Sequence, residues 1–167
     1  LLTQSLSAQQ TGDSRFEITD WNLEVDVRGQ TAHESHSLIL KNISGATQTT
    51  FEFIIPEEDT EHLFKFAPHA DNSQLLQYTK HQSTHAIQKF GGNQVTSTAI
   101  IIYKITMDRP RANNEFKAFS INCFFLDKYR FSPPKIKIDE KQIIKYELAL
   151  VPVSPYKTTS LRGKLTY

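Results

Sequence analysis

From Phe16 onward, apolar and polar residues alternate along the chain with a period of two. Trp21, Leu23, Val25 and Val27 interleave with Asn22, Glu24, Asp26 and Arg28. Successive side chains of a strand point to opposite faces, so this spacing sets one apolar face inward and one charged face outward. Gly29-Gln30 interrupts the run. A second strand is predicted around Leu38-Ile39-Leu40, closing at Asn42-Ile43-Ser44-Gly45. A third runs through Phe51, Phe53 and Ile55, with Glu52 facing the other way and Pro56 ending it. Glu57 to His62 reads as a loop or short helical turn, and Leu63 to Phe66 as a short strand.

The stretch from His69 to Gln94 is polar, rich in Gln, Ser and His, and carries no helical stripe. Leu75, Leu76, Tyr78 and Ile87 are its apolar anchors, and Gly91-Gly92-Asn93 marks a turn. It reads as an excursion from the sheet, in the form of a hairpin. Val95 to Met107 is apolar on both parities, which predicts a central strand covered on both faces. Arg109-Pro110-Arg111 and Asn113-Asn114 read as a loop, and Phe116 to Leu126 as the next strand. A two-proline bend at Pro133-Pro134 and a polar step from Asp139 to Gln142 precede a strand over Gln142–Val151. After a second bend, Ser154-Pro155-Tyr156, a last strand is predicted over Leu161–Tyr167. There Leu161, Gly163, Leu165 and Tyr167 share one parity and Arg162, Lys164 and Thr166 the other. Seven or eight strands separated by turns, with no helical segment, predict an all-β fold, an antiparallel sandwich.

Composition narrows the class. The 167 residues fit one domain: residues 15–167 as the sandwich, and 1–14 as a disordered end or signal-peptide remnant with a small-residue region at Ser7-Ala8. Eleven Phe and six Tyr supply a core. Nineteen Lys and Arg against eighteen Asp and Glu leave no basic field to favour nucleic acid. No run of about 18 apolar residues is present to span a membrane as a helix. Cys123 is the single cysteine, which excludes an intrachain disulfide and a cysteine-rich zinc site. Its apolar neighbours Ile121, Phe124 and Phe125 predict a buried, inert thiol.

Chemistry-bearing patterns are few. His33-Glu34-Ser35-His36 departs from the HExxH metal motif, because its histidines are three apart and an extended strand sends them to opposite faces. His81 and His85 have the four-residue spacing that a helix would put on one face, with no third ligand beside them. Asp139-Glu140 is an acidic pair, but adjacent strand residues diverge, so it reads as surface charge. Phe124-Phe125, Tyr129 and Phe131 interleave with Lys128 and Arg130, the pattern of core packing with a snorkelling rim. No GxSxG elbow or phosphate-cradling glycine loop occurs. Asn42-Ile43-Ser44 is an N-glycosylation acceptor at a turn after a strand, and it bears on the protein only if the chain is lumenal.

The stretch Phe131–Leu165 resembles the first lumenal domain of the ribophorin I family, subunits of the oligosaccharyltransferase complex of the endoplasmic reticulum. The resemblance rests on ordered features: Pro133-Pro134 before Ile136, the Glu140-x-Gln142 step, and the strand with Tyr146-Glu147. The bend Ser154-Pro155-Tyr156, Lys157-Thr158, Leu161 and Lys164-Leu165 complete it. LILKNIS at Leu38 to Ser44, followed by Phe51–Phe53, resembles the family's early strand and turn. The segment 69–94 does not follow the family pattern.

The resemblance implies a non-catalytic lumenal domain that scaffolds the complex and presents substrate in protein N-glycosylation. It implies no catalytic, cofactor-binding or metal-binding residue in this chain. The implied partners are the other oligosaccharyltransferase subunits, the translocon and nascent polypeptide. The family continues into a second lumenal domain, a transmembrane helix and a cytosolic segment. The expectation is therefore a lumenal fragment of such a chain or a shortened relative. Two rival readings share only the fold: a secreted or cell-surface sandwich used in adhesion or assembly, and the N-terminal β-domain of a peptidase-like enzyme. In the family reading, Pro133, Pro134, Glu140, Gln142, Tyr146, Ser154, Pro155 and Tyr156 shape the fold.

Overall fold

A computed structural model describes residues 13–28, 31–88, 95–128, 130–132, 143–145 and 153–166, with backbone alone for 85–88, 95–98, 130–132 and 143–145. Eight strands of six residues or more are β1 (Phe16–Asp26), β2 (Thr31–Asn42), β3 (Gln48–Pro56), β4 (Leu63–Ala70), β5 (Tyr78–Gln88), β6 (Val95–Arg111), β7 (Phe116–Leu126) and β11 (Leu161–Thr166). Three short ones, β8 (Arg130–Ser132), β9 (Ile143–Lys145) and β10 (Lys157–Thr158), and one helical turn, α1 (Glu57–Thr60), complete the described elements. The all-β sandwich expected from the alternation is present. One sheet has the order β10-β1-β2-β7-β4, with β11 also on β1, and the second has the order β3-β6-β5. β8 and β9 form a separate antiparallel ribbon.

The inward parity of each strand builds the core. In β1 it is Phe16, Ile18, Trp21, Leu23 and Val25, and a register shift between Ile18 and Asp20 restores the inward phase for Trp21. In β7 it is Phe119, Ile121, Cys123 and Phe125. Rings meet across the two sheets: Phe51 lies 4.5 Å from Phe119, and Trp21 lies 6.1 Å from Phe53. Burial of these rings is the main favourable contribution to folding.

β6 is central in its sheet, as its two-sided apolarity predicts. Tyr103, Ile105 and Met107 face the core between the sheets, while Ile100 and Ile102 join Ile54 in a second cluster that Val153 packs against. Of the stretch 69–94, the described residues form a turn at 71–72 and then β5, which pairs with β6 as the expected hairpin. Of its anchors, Leu76 is buried, Leu75 and Tyr78 are exposed, the side chain of Ile87 is not described, and Gly91-Gly92-Asn93 lies outside the described residues.

Two expectations need correction. Arg109-Pro110-Arg111 is the end of β6 rather than a loop. Between Thr106 and Arg111 the partner on β3 moves only from Thr50 to Gln48, so the strand bulges and Pro110 falls where ladder bonding is interrupted. The sandwich is also not wholly antiparallel, since β10 and β11 run parallel to β1. Alternation alone is the same for either direction, so the sequence carried no sign of this.

Candidate functional site

The bend that follows the ribbon is a closed local knot. Ser154 is fully buried, and its hydroxyl donates to Tyr156 O at 2.9 Å while accepting from Tyr156 N–H at 3.1 Å. Pro155 sits between them, where a missing N–H costs nothing, and its carbonyl accepts from Asp13 N–H at 3.1 Å. The knot drives the Tyr156 ring into the core, edge-on to Phe16 at 5.4 Å. Its hydroxyl accepts the backbone N–H of Glu52 at 2.7 Å. Glu52 lies on β3, so Tyr156 ties the segment entering β10 to the opposite sheet. Burial pushes the Tyr156 hydroxyl far above its ordinary pKa, which keeps it neutral.

A charged network lies between the sheets. Lys128 Nζ reaches Glu34 at 2.7 Å and Asp59 at 3.4 Å, and sits 4.0 Å above the Phe125 ring. Glu34 and His36 share the inward face of β2, with His36 Nε2 3.6 Å from the carboxylate. Trp21 Nε1–H donates to His36 Nδ1 at 3.2 Å, which directs the other ring nitrogen toward Glu34. For Glu34, burial works to raise the pKa, but His36 and Lys128 outweigh it and hold it at about 2. For Asp59, burial prevails and raises the carboxyl. Burial likewise pushes the Cys123 thiol up. A buried thiol held protonated beside an ionised carboxylate has the character of a structural network rather than an activated nucleophile.

Asn42 does not occupy the exposed setting that its acceptor motif suggests. It is 1% exposed. Its Nδ2 donates to Ala46 O at 2.7 Å and to Arg111 O at 2.9 Å, and its Oδ1 accepts from Ser44 N at 3.0 Å and Ser44 Oγ at 2.8 Å. Its backbone is held as tightly, with N–H to Glu115 O at 3.0 Å and C=O from Asn114 N at 2.7 Å. Arg111 is equally buried and pairs with Asp108 at 2.6 Å and Glu115 at 3.0 Å. Gly45 takes φ 76° in the same turn, a conformation glycine adopts without penalty.

The remaining candidates separate. His33 and His36 point to opposite faces, as extended geometry requires, and His33 stacks on Phe124 at 4.4 Å on the outer face. His81 and His85 lie on strand β5, not on a helix, and four residues of strand separate them by about 13 Å. Phe125 is core, and Phe124 is partly buried. Tyr129, Pro133, Pro134, Asp139, Glu140, Gln142 and Tyr146 lie outside the described residues, and the side chains of Arg130 and Phe131 are not described. Among the described residues no three His, Cys, Asp or Glu side chains are grouped to hold a metal ion. The outer face of the first sheet carries an open trough of about 550 Å³ whose lining includes Asn22, Ser37, His69, Ala118, Ser120 and Asn122.

Sequence reasoning missed the Glu34–Lys128 pair and the buried Arg111. The first joins residues 94 positions apart, a contact no local pattern announces. For Arg111 the signal available was Glu115 four positions on.

These features define a two-sheet β-sandwich domain whose buried polar groups tie strands and turns together. The chain belongs to the ribophorin I family, whose model matches residues 16–166, nearly the whole sequence. Members of that family are subunits of the oligosaccharyltransferase complex. No curated protein matches the chain significantly. Among solved structures, a two-domain M1 zinc metallopeptidase bound to L-tryptophan shows 11% identity over 73% of this chain, with a TM-score of 0.39. An M1 zinc metallopeptidase from Deinococcus radiodurans bound to a Tyr-Ser-Ala substrate shows 12% over 74%, with a TM-score of 0.38. This chain spans 23% of each. Superposition at that level carries no functional assignment.

Proposed function

We propose that this chain is a non-catalytic lumenal domain of an oligosaccharyltransferase subunit, supporting asparagine-linked glycosylation in the endoplasmic reticulum. The observation that carries the reading is the family match across residues 16–166. The domain scaffolds the complex, and its exposed sheet face serves to hold or present acceptor polypeptide. Its partners are the other subunits of the complex, the translocon and nascent chains. Pro133, Pro134, Glu140, Gln142, Tyr146, Ser154, Pro155 and Tyr156 serve the fold and carry no chemistry.

The geometry of Ser154 and Tyr156 supports that division, since their polar atoms are spent on backbone partners. Depletion of the native gene product from its own cells is expected to lower sequon occupancy on secreted reporter glycoproteins, read by glycopeptide mass spectrometry. Unchanged occupancy after full depletion contradicts the proposal.

A further inference from the structure

The Asn42-Ile43-Ser44 acceptor sits in a place where modification and folding compete for the same atoms. An asparagine amide has two N–H donors and one carbonyl with two lone pairs. At Asn42 all are engaged: both donors go to the carbonyls of Ala46 and Arg111, and the carbonyl oxygen takes two bonds from Ser44. The bond to Arg111 spans 69 positions and fastens the end of β2 to the end of β6.

N-glycosylation replaces one of those hydrogens. A glycosyl diphosphate donor transfers its sugar so that the Nδ2–C1 bond forms, the C1–O bond to the diphosphate breaks, and one Nδ2 proton leaves. The product amide keeps a single N–H. Loss of the bond to Arg111 leaves a buried acceptor unmet, which is costly, whereas Ala46 is exposed and its carbonyl also accepts from Ser44 Oγ at 3.0 Å. The nitrogen that would carry the sugar belongs to a side chain 1% exposed, so the first sugar ring needs the turn to open. A chain modified at Asn42 cannot close this turn, and a closed turn offers no free amide.

We propose that Asn42 is a folding-gated modification site, which accepts an N-linked oligosaccharide only before the sandwich closes and is carried unmodified in the native domain. The inference rests on the lumenal reading above, since the glycosyl donor acts there. The test is therefore built to separate the two. Three forms of the full-length protein are compared in their own cells by glycopeptide mass spectrometry of native and misfolded fractions. One is wild type. The second carries Gln74→Thr, which creates an Asn-Ser-Thr acceptor at Asn72 on the exposed turn after β4. The third adds Phe51→Ala to the second, a core truncation that destabilises the sandwich without touching the acceptor.

The expected result is Asn72 modified in both engineered forms and Asn42 bare in every native fraction. Asn42 occupancy rises severalfold in the misfolded fraction of the third form. A protease-resistant native domain bearing a glycan at Asn42 overturns the proposal. So does an Asn42 that stays bare in the misfolded third form while Asn72 is modified. Asn72 bare throughout overturns the lumenal reading, and this inference with it.

Discussion

Glu34 and Lys128 meet inside the sandwich from 94 positions apart, and the pair is bound to more than one partner on each side. The folded pKa of Glu34, about 2, lies below its ordinary 4.5. A depressed carboxyl stabilises the fold above the unfolded value and loses that contribution as pH falls through the folded one. The window is therefore pH 4.5 down to 2. Asp59 acts in the opposite sense, because its raised carboxyl makes ionisation unfavourable in the fold, and it offsets part of the Glu34 effect. Glu34→Gln removes the nearer of the two carboxylates on Lys128 and the carboxylate facing His36, and is expected to cost about 3 kcal/mol at pH 7. Urea titrations should show the gap from wild type narrowing as pH drops from 4.5 toward 2. A gap of the same size at pH 7 and pH 3 contradicts the assignment. None of this was readable in advance: Lys128 looked like the snorkelling rim of an aromatic run, and its carboxylate partners come from β2 and α1. Asn42 misled in the other direction, since a turn after a strand is usually exposed and the partners that bury this one, at Arg111, Asn114 and Glu115, are about 70 positions away.

The strands themselves were legible because a period of two is a local property. Burial in β1 follows the predicted parity, and β6 is covered on both sides as its composition requires. Strand direction and bulges were not legible, because both depend on which neighbour the chain finds. The bend at Ser154-Pro155-Tyr156 is the element where sequence and packing agree most closely: a proline excludes ladder pairing, and an aromatic with a polar tip enters the core with a backbone partner. Its contribution divides into a hydrogen bond and a buried ring. Tyr156→Phe removes only the bond to Glu52 and is expected to cost about 1 kcal/mol. Tyr156→Ala also leaves a cavity between the sheets, at about 4 kcal/mol. Thermal or denaturant unfolding of the two variants reads the split directly. Equal losses would mean that the ring does not bridge the sheets as described.

At the scale of the whole molecule, the described residues of the sandwich include buried charges, knotted turns and an open trough on the outer face of the first sheet. The C-terminal strands return to pair with the first strand, so both ends of the fold are held in the same sheet. The fold class could be read from sequence because it is a sum of local patterns. The family could not be read from a constellation of reactive residues; the ordered bends and strands mark it, and the proposed role rests on that match. The central proposal is that the protein is part of an oligosaccharyltransferase complex. The native protein, tagged and captured from its own membranes in mild detergent, is predicted to bring down a catalytic oligosaccharyltransferase subunit in near-stoichiometric amount. Capture of the intact protein without that subunit would contradict the central claim.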